Sequence, residues 1–425
     1  MLSIMSNATT ILITTASLSW MPVAPYSAPP AAKPAPVAAP APLPAPTPAP
    51  SLPLGVSYLG WRGDYRHAPE RLQAFRAIGF HMVTFVPNYS YVGLDEIDTA
   101  SGPDAAELAA AVEVALRTGF TVVVKPHLEP PAYQPGFDQF KSENDSWRVA
   151  CPWRGFFDVH PMTADYREGV VFMALRALKT AFDAAAASAP PVRLELGVEL
   201  MNSTVYAPDE WVMLLAAAKK ERHRLGLDGK VLLSHNFTHH IELPDDFVRR
   251  MTPAGRRALG RYIAGLDAVS LSQYMDLTAA VPAGERGKRL PTADEVARAL
   301  VIHEARFRKE ILQSALGVPA AHIPPLHIGE FGIGRGGLRH PNLWAGDTTL
   351  EQEQQLSREI ARGHEGFLKY LALPASGRAA RSGVLWVTGR HYDIFGWERP
   401  DYANPAAEAA IRGALGGTPL APHAP

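Results

Sequence analysis

The chain has 425 residues, is 47% apolar and 20% charged, and carries a formal net charge of −1. That charge gives no electrostatic basis for binding nucleic acid or an anionic membrane. The single cysteine, Cys151, excludes an internal disulfide, has no neighbours at metal-ligand spacing, and reads as an inert packed residue.

The apolar run Ile11–Met21 is too short to span a bilayer as an ordinary helix. Residues 1–21 read either as a secretory signal segment lacking its usual positive start or as the product of a mis-set start codon. Residues 22–53 form a Pro/Ala-rich tract that cannot build a core and is expected to be a disordered, extended spacer. Such a spacer suits an exported protein, so a periplasmic or secreted location is expected. The folded body is expected over residues 54–415, with no membrane span and as a monomer, and residues 416–425 as a disordered tail.

From Leu54 onward, short β-branched runs alternate with helical patterns. Strands are predicted at Leu54–Trp61, His81–Tyr91, Phe120–Pro130, Val192–Ser203, Lys230–His240, Leu266–Leu277, from Leu326, and at Gly383–Trp397. Helical patterns at 68–79, 104–119, 209–226 and 293–317 each stop at a glycine. Eight strands separated by helices imply a parallel sheet, and the count fits a single α/β (β/α)8 TIM barrel with a long loop insertion after the third strand. A doubly wound open sheet usually carries a glycine-rich phosphate turn after its first strand, and "GVSYLGWRGDYR" has no such turn.

In a (β/α)8 barrel the chemistry sits at the C-terminal ends of the strands. "VRLELGVELMNS" ends the fourth strand on Glu199, and "LHIGEFGIGRGG" carries Glu330 at the end of the seventh. Two carboxylates far apart in sequence but sharing one mouth are what glycoside hydrolysis requires, one protonated and one ionised. A single glutamate at a strand end is often only a salt-bridge partner; two on these strands, each among glycines and small polar residues, favour catalysis.

The pattern resembles the retaining (β/α)8 glycosidases of clan A, and within them is most similar to glycoside hydrolase family 113, whose known members are β-mannanases. The residues that carry the resemblance are "GVSYLGW", "VVVKPHLEP", "GVEL", "IGEFGI" and "GVLWV", spread over most of Leu54–Trp397. The resemblance implies Glu199 as general acid/base, Glu330 as nucleophile, a β-linked oligosaccharide or polysaccharide as substrate, and no cofactor or metal. Most clan members have Asn before the acid/base; Val198 stands there in this chain. Another group must then serve the sugar 2-hydroxyl, or substrate handling differs. Retention calls for carboxyl groups about 5–5.5 Å apart and inversion for about 6.5–9.5 Å.

Further candidates line the same mouth. Tyr274 ends the sixth strand and is placed to donate to Glu330, or else fills the barrel top. His127 and Asn236 are candidate sugar ligands or loop anchors, with His235, Asn88 and Tyr89 nearby. Trp61, Trp344 and Trp386 offer flat faces for pyranose rings, with Trp386 as the floor. Trp147 and Trp153 lie in the long segment after the third strand, as a cleft wall or as a small satellite core. Strand parity puts Glu195 and Lys125 inside the barrel, and a Lys125–Glu195 ion pair is expected. The same parity turns Ile328 inward and His327 away from the axis. Two rival readings remain: a metal-dependent barrel hydrolase using His127, His235, His239, His240 or His327, which lacks the usual H-x-H on the first strand, and a non-catalytic carbohydrate-binding barrel.

Overall fold

The computed structural model describes residues 52–93, 96–129, 159–186, 188–238, 251–341, 348–388 and 392–416. Eight parallel strands form its centre: β1 (Leu54–Gly60), β2 (Met82–Gly93), β3 (Thr121–Val124), β4 (Val192–Val198), β5 (Val231–Thr238), β6 (Ala268–Gln273), β7 (Leu326–Phe331) and β8 (Ala380–Leu385). Each pairs with its neighbours in chain order, and β1 pairs with both β2 and β8, with Tyr58 opposite Phe85 and Val56 opposite Leu385. That last pairing closes the sheet into a barrel and leaves no open edge. Two short additions extend β2 at the mouth: Glu96–Asp98 runs antiparallel to it, and His127–Glu129 continues parallel to it, with His127 opposite Asn88.

A helix follows each strand: α1 (Ala68–Ile78), α2 (Ala105–Arg117), α3 (Met173–Ala184), α4 (Pro208–Arg224), α5 (Pro253–Gly265), α6 (Ala293–Arg306), α7 (Leu350–Ala372) and α8 (Pro405–Leu415). The four helical patterns read in the sequence are α1, α2, α4 and α6. Helices α3, α5, α7 and α8 occupy the gaps that the sequence reading left unassigned. Their ends follow local chemistry. Thr292 and Thr349 build capping boxes with Glu295 and Gln352, and Asp104 accepts from the backbone N–H groups of Ala106 and Glu107. Each such cap contributes about 1 kcal/mol.

Strand alternation sorts the core into two layers. Outward residues such as Val83 and Phe85 of β2, Leu194 and Leu196 of β4 and Ile328 of β7 pack with the inner faces of the helices in one large cluster. Inside the barrel, Met82, Val123 and Val384 make a small separate apolar cluster. The rest of the interior is polar. Lys125, Arg193, Glu195, Ser270, Asn236, Ser272 and Glu330 are all buried. Buried charges are tolerated when each finds a partner in good geometry, and that requirement sets the internal arrangement.

The predicted Lys125–Glu195 pair is not formed. Both side chains occupy the interior, but Glu195 Oε1 lies 3.1 Å from Arg193 Nε and accepts from Ser270 Oγ at 2.7 Å. Arg193 stands two residues before Glu195 on the same strand and so shares its face. Glu195 Oε1 is thereby engaged locally, Oε2 is buried without a hydrogen-bond partner among the described residues, and the lysine stem runs on toward β7.

Two irregularities break the simple parity of the strands. In β4 the register to β5 shifts between Glu195 and Val198, inserting one residue. Gly197 occupies this bulge because a Cβ there would fall 2.5 Å from the rings of both His235 and Trp211. In β7 the register to β6 shifts between Ile328 and Glu330. As a result Ile328 faces the helices, and His327 is held by Ser382 with Nδ1 2.7 Å from its Oγ and lines a cavity together with Arg193. The expected orientations of His327 and Ile328 are therefore both reversed. The parity count assumed an unbroken strand, and the bulge moves Glu330 inward by one place.

Candidate active site

Glu330 lies at the end of β7, 1% exposed. Lys125 Nζ, reaching from the end of β3, lies 2.7 Å from Glu330 Oε1 and donates to the carbonyl of Gly329 at 3.0 Å. His127 Nε2 lies 3.3 Å from the same carboxylate oxygen. On the other side, Tyr274 Oη donates to Glu330 Oε2 at 2.6 Å. Burial first, and then the Glu330 carboxylate, push the Tyr274 hydroxyl well above its ordinary range, so it stays protonated and remains a donor. An ammonium and a phenolic O–H against one carboxylate are interactions that favour its ionised form.

Glu199 follows β4 directly, and its backbone N–H donates to Asn236 O at 2.9 Å. Its φ is 55°, the single positive value at a non-glycine among the described residues. The left-handed region disfavours a residue with a Cβ, and such strain tends to persist where the surroundings require a particular side-chain direction. The bulge at Gly197 and this turn together direct the chain from β4 into the short helix Met201–Tyr206. Glu199 is 3% exposed.

Two tyrosines lie within the field of both glutamates. Tyr274 and Tyr392 are each pushed well above the ordinary tyrosine range, first by burial, and each also feels the negative charge of both Glu330 and Glu199. The rings of these tyrosines lie 5.5 Å apart, tilted by 50°. Trp386, one residue past the end of β8, is fixed by its backbone N–H to Phe331 O at 2.8 Å. Its ring stacks on His127 with centroids 5.3 Å apart and planes 12° apart. The indole is half-buried, and its stacking partner His127 is the residue that lies against Glu330.

Asn88 and Asn236 are fully buried near this mouth. Asn236 donates to Ser272 Oγ at 2.7 Å, and Gly329 leaves room for it, since a Cβ at 329 would collide with the Asn236 amide. Both amide atoms of Asn88 lack a hydrogen-bond partner among the described residues, as does Asn236 Oδ1. Buried amides without partners are costly, and a polar ligand would supply what they lack.

The geometry thus joins Glu330, Lys125, His127, Tyr274, Tyr392 and Trp386, with Glu199 acting on the same two tyrosines. Trp61 follows β1 directly, and its backbone N–H donates to Asp64 Oδ2 at 2.8 Å. His235 and Tyr89, expected at the mouth, belong to the outer layer. His235 Nδ1 lies 2.9 Å from Tyr262 Oη and its ring packs edge-on to Trp211, while Tyr89 Oη donates to Pro103 O at 3.4 Å. The odd positions of β5 face the helices, so His235 points away from Asn236. Trp147, Trp153, Trp344, Cys151, His239 and His240 lie outside the described residues. Among the described residues, no group of three or more His, Cys, Asp or Glu could hold a metal ion, and no helix is long and apolar enough to cross a membrane.

Sequence reasoning missed two members. Lys125 was placed in the interior but against the wrong carboxylate. The same-face Arg193 was the signal that Glu195 already had a partner. Tyr392 lies in an irregular segment after β8, where neither period nor motif marks it.

Neither a protein-family model nor a curated protein matches the sequence. Solved structures do match in fold. A GH113 β-1,4-mannanase superposes with a TM-score of 0.54 at 17% identity, covering 87% of this chain and 100% of that one. A second structure, a complex of a GH113 β-1,4-mannanase, gives 0.53 at 17% identity over 86% and 98% of the two chains. The GH113 β-mannanase from Alicyclobacillus acidocaldarius, in complex with ManMIm, gives 0.52 at 16% identity over 86% and 97%. The chain therefore has the closed (β/α)8 barrel fold of the GH113 β-mannanases.

Proposed function

We propose that the protein is a retaining glycoside hydrolase that cleaves β-linked glycans, with a mannan-like polysaccharide or oligosaccharide as substrate. The observation that carries this reading is the pair of buried glutamates at the C-terminal ends of β4 and β7. Glu330 is clamped by Lys125 and Tyr274, and Glu199 stands on a strained turn and acts on the same tyrosines. The fold supports it, because the matching structures are β-1,4-mannanases.

In this reading Glu330 attacks the anomeric carbon as an ionised nucleophile while Glu199 gives its proton to the departing glycosidic oxygen. Glu199, now ionised, then takes a proton from the water that releases the sugar from Glu330. Lys125 and Tyr274 hold one carboxylate rotamer and oppose protonation of Glu330 between turnovers. Tyr392, Asn88 and Asn236 serve the sugar hydroxyls in this reading, in place of the Asn that Val198 replaces. Trp386 packs against the ring at the cleavage point, kept flat by His127.

The test is a panel of β-linked glycans and oligosaccharides, with the anomeric configuration of the first-formed product followed by NMR. Retained configuration on a β-mannan or manno-oligosaccharide, lost in both Glu330→Gln and Glu199→Gln, is the expected result. Hydrolysis that survives in both variants, or that inverts the anomeric centre, overturns it.

A further inference from the structure

The opposite end of the barrel carries a second polar construction that takes no part in the chemistry above. A cavity of about 310 Å³ opens at the N-terminal ends of the strands, lined by Arg193, His327, Arg381 and Ser382 among others, with Met82 and Val123 as an apolar floor. Among the described residues, none that lines it is an aspartate or a glutamate. Arg193 is 6% exposed. Its Nε is engaged by Glu195 at 3.1 Å, while Nη2 is buried and has no hydrogen-bond partner among the described residues.

A buried guanidinium N–H without an acceptor is expensive, because it has lost water and gained nothing in return. Here the imbalance is compounded. Arg381 stands exposed at the cavity rim, and His327 sits between the two arginines, its imidazole pushed well below its ordinary range by burial and by both guanidinium charges. His327 is therefore neutral, and with Nδ1 against Ser382 Oγ it forms a short polar pair beside the arginines. Two fixed positive charges, one of them with an orphaned donor, converge on a space of small-molecule size, and the carboxylate oxygen that Arg193 engages, Glu195 Oε1, is already shared with Ser270.

We propose that this cavity at the N-terminal end of the barrel is a binding site for a small multivalent oxyanion, a phosphate or a polycarboxylate, held between Arg193 and Arg381 with Ser382 as an additional donor. Guanidinium groups bind such oxyanions through paired N–H donors. The site is separate from the carboxylate mouth, so its occupancy stabilises the barrel without supplying a group to the reaction.

The experiment uses the full chain. Thermal unfolding is followed against increasing inorganic phosphate, and separately citrate, with sodium chloride adjusted to hold ionic strength constant. Arg381→Glu and Arg381→Lys are compared with wild type; position 381 is exposed, so both variants fold. Saturable stabilisation by one or both anions is expected, since a ligand of the native state raises apparent stability with its concentration. Arg381→Glu is expected to weaken the apparent affinity by about tenfold or more, with Arg381→Lys in between. A response to phosphate alone assigns a phosphoryl group, and one to citrate alone a carboxylate. Equal melting in phosphate, citrate and chloride at matched ionic strength, or an unchanged response in Arg381→Glu, overturns the proposal. Glycan hydrolysis in Arg381→Glu is measured in parallel and is expected to match wild type. The anion readout does not depend on it, so failure here and failure of the glycosidase reading are told apart.

Discussion

The two strand ends that carry the glutamates are built in opposite ways. At the end of β7 the side chain is fixed by partners: Lys125 at 2.7 Å and Tyr274 at 2.6 Å grip the two oxygens of Glu330. At the end of β4 the backbone does the positioning. Glu199 takes a φ of 55° just past a bulge, and strain sets the direction of its side chain. In the proposed mechanism the carboxylate that stays ionised is gripped by two donors, whereas the one that exchanges a proton is set in place by a strained turn of the chain.

Replacing each glutamate gives the largest effect and breaks the comparison if the two behave alike. Glu330→Gln is expected to lower kcat by about 10⁴-fold or more on every substrate, because no covalent intermediate forms. Glu199→Gln should cost about 10²–10⁴-fold on a natural glycan. With an activated aryl glycoside, whose leaving group needs no proton, its first step should stay close to wild type, and added azide should restore turnover. Burst kinetics on the aryl substrate read the difference, and identical losses in the two variants on that substrate would remove the assigned roles.

Lys125→Met comes next. Removing one member of a buried pair leaves an uncompensated charge, with a stability loss of about 3–5 kcal/mol measurable by urea unfolding. Surviving activity should show its acidic limb displaced to higher pH, since loss of the ammonium favours protonated Glu330. An acidic limb at the wild-type position would mean that Lys125 does not tune the nucleophile.

The outer layer offers a separate pH readout that sharpens the distinction between stability and rate. Burial lowers His235 to about 3 and His364 to about 4, from 6.5. A folded value below the unfolded one means that the unfolded chain binds more protons. This contribution is therefore complete above about pH 6.5 and is lost as the pH falls toward the folded values, by about 1.4 kcal/mol per pH unit for each histidine. Unfolding free energy measured between about pH 7.5 and 5 should fall accordingly, and His364→Leu should reduce the slope by about one proton.

The smallest effect concerns the turn itself. Glu199→Ala and Glu199→Gly should both lose activity on glycans, with Glu199→Gly about 1 kcal/mol more stable than Glu199→Ala in urea unfolding, because glycine adopts the left-handed conformation without a Cβ penalty. Equal stability of the two variants would show that the backbone at position 199 carries no such strain.

Much of this architecture was legible from local chemistry. Runs of β-branched residues and glycine-terminated helical patterns marked all eight strands and four of the eight helices, because period and capping act within a few residues. Glu199 and Glu330 stood out because a charged residue closing an apolar strand is unusual, and the barrel topology brings strand ends to one mouth. The sequence also held the clue to Arg193 and Glu195, which share a face by simple alternation. What it did not hold was the effect of one inserted residue. The bulges in β4 and β7 reverse parity, so His327 turned inward, Ile328 turned outward, and Glu330 reached Lys125. A bulge is decided by what a neighbouring strand will accept in its register, and the space around Gly197 is set by Trp211 and His235, residues from other elements. Alternation is a property of one strand and can be read along the chain. The choice of partner for a buried charge depends on distances across the barrel, and these exist only once the sheet has closed.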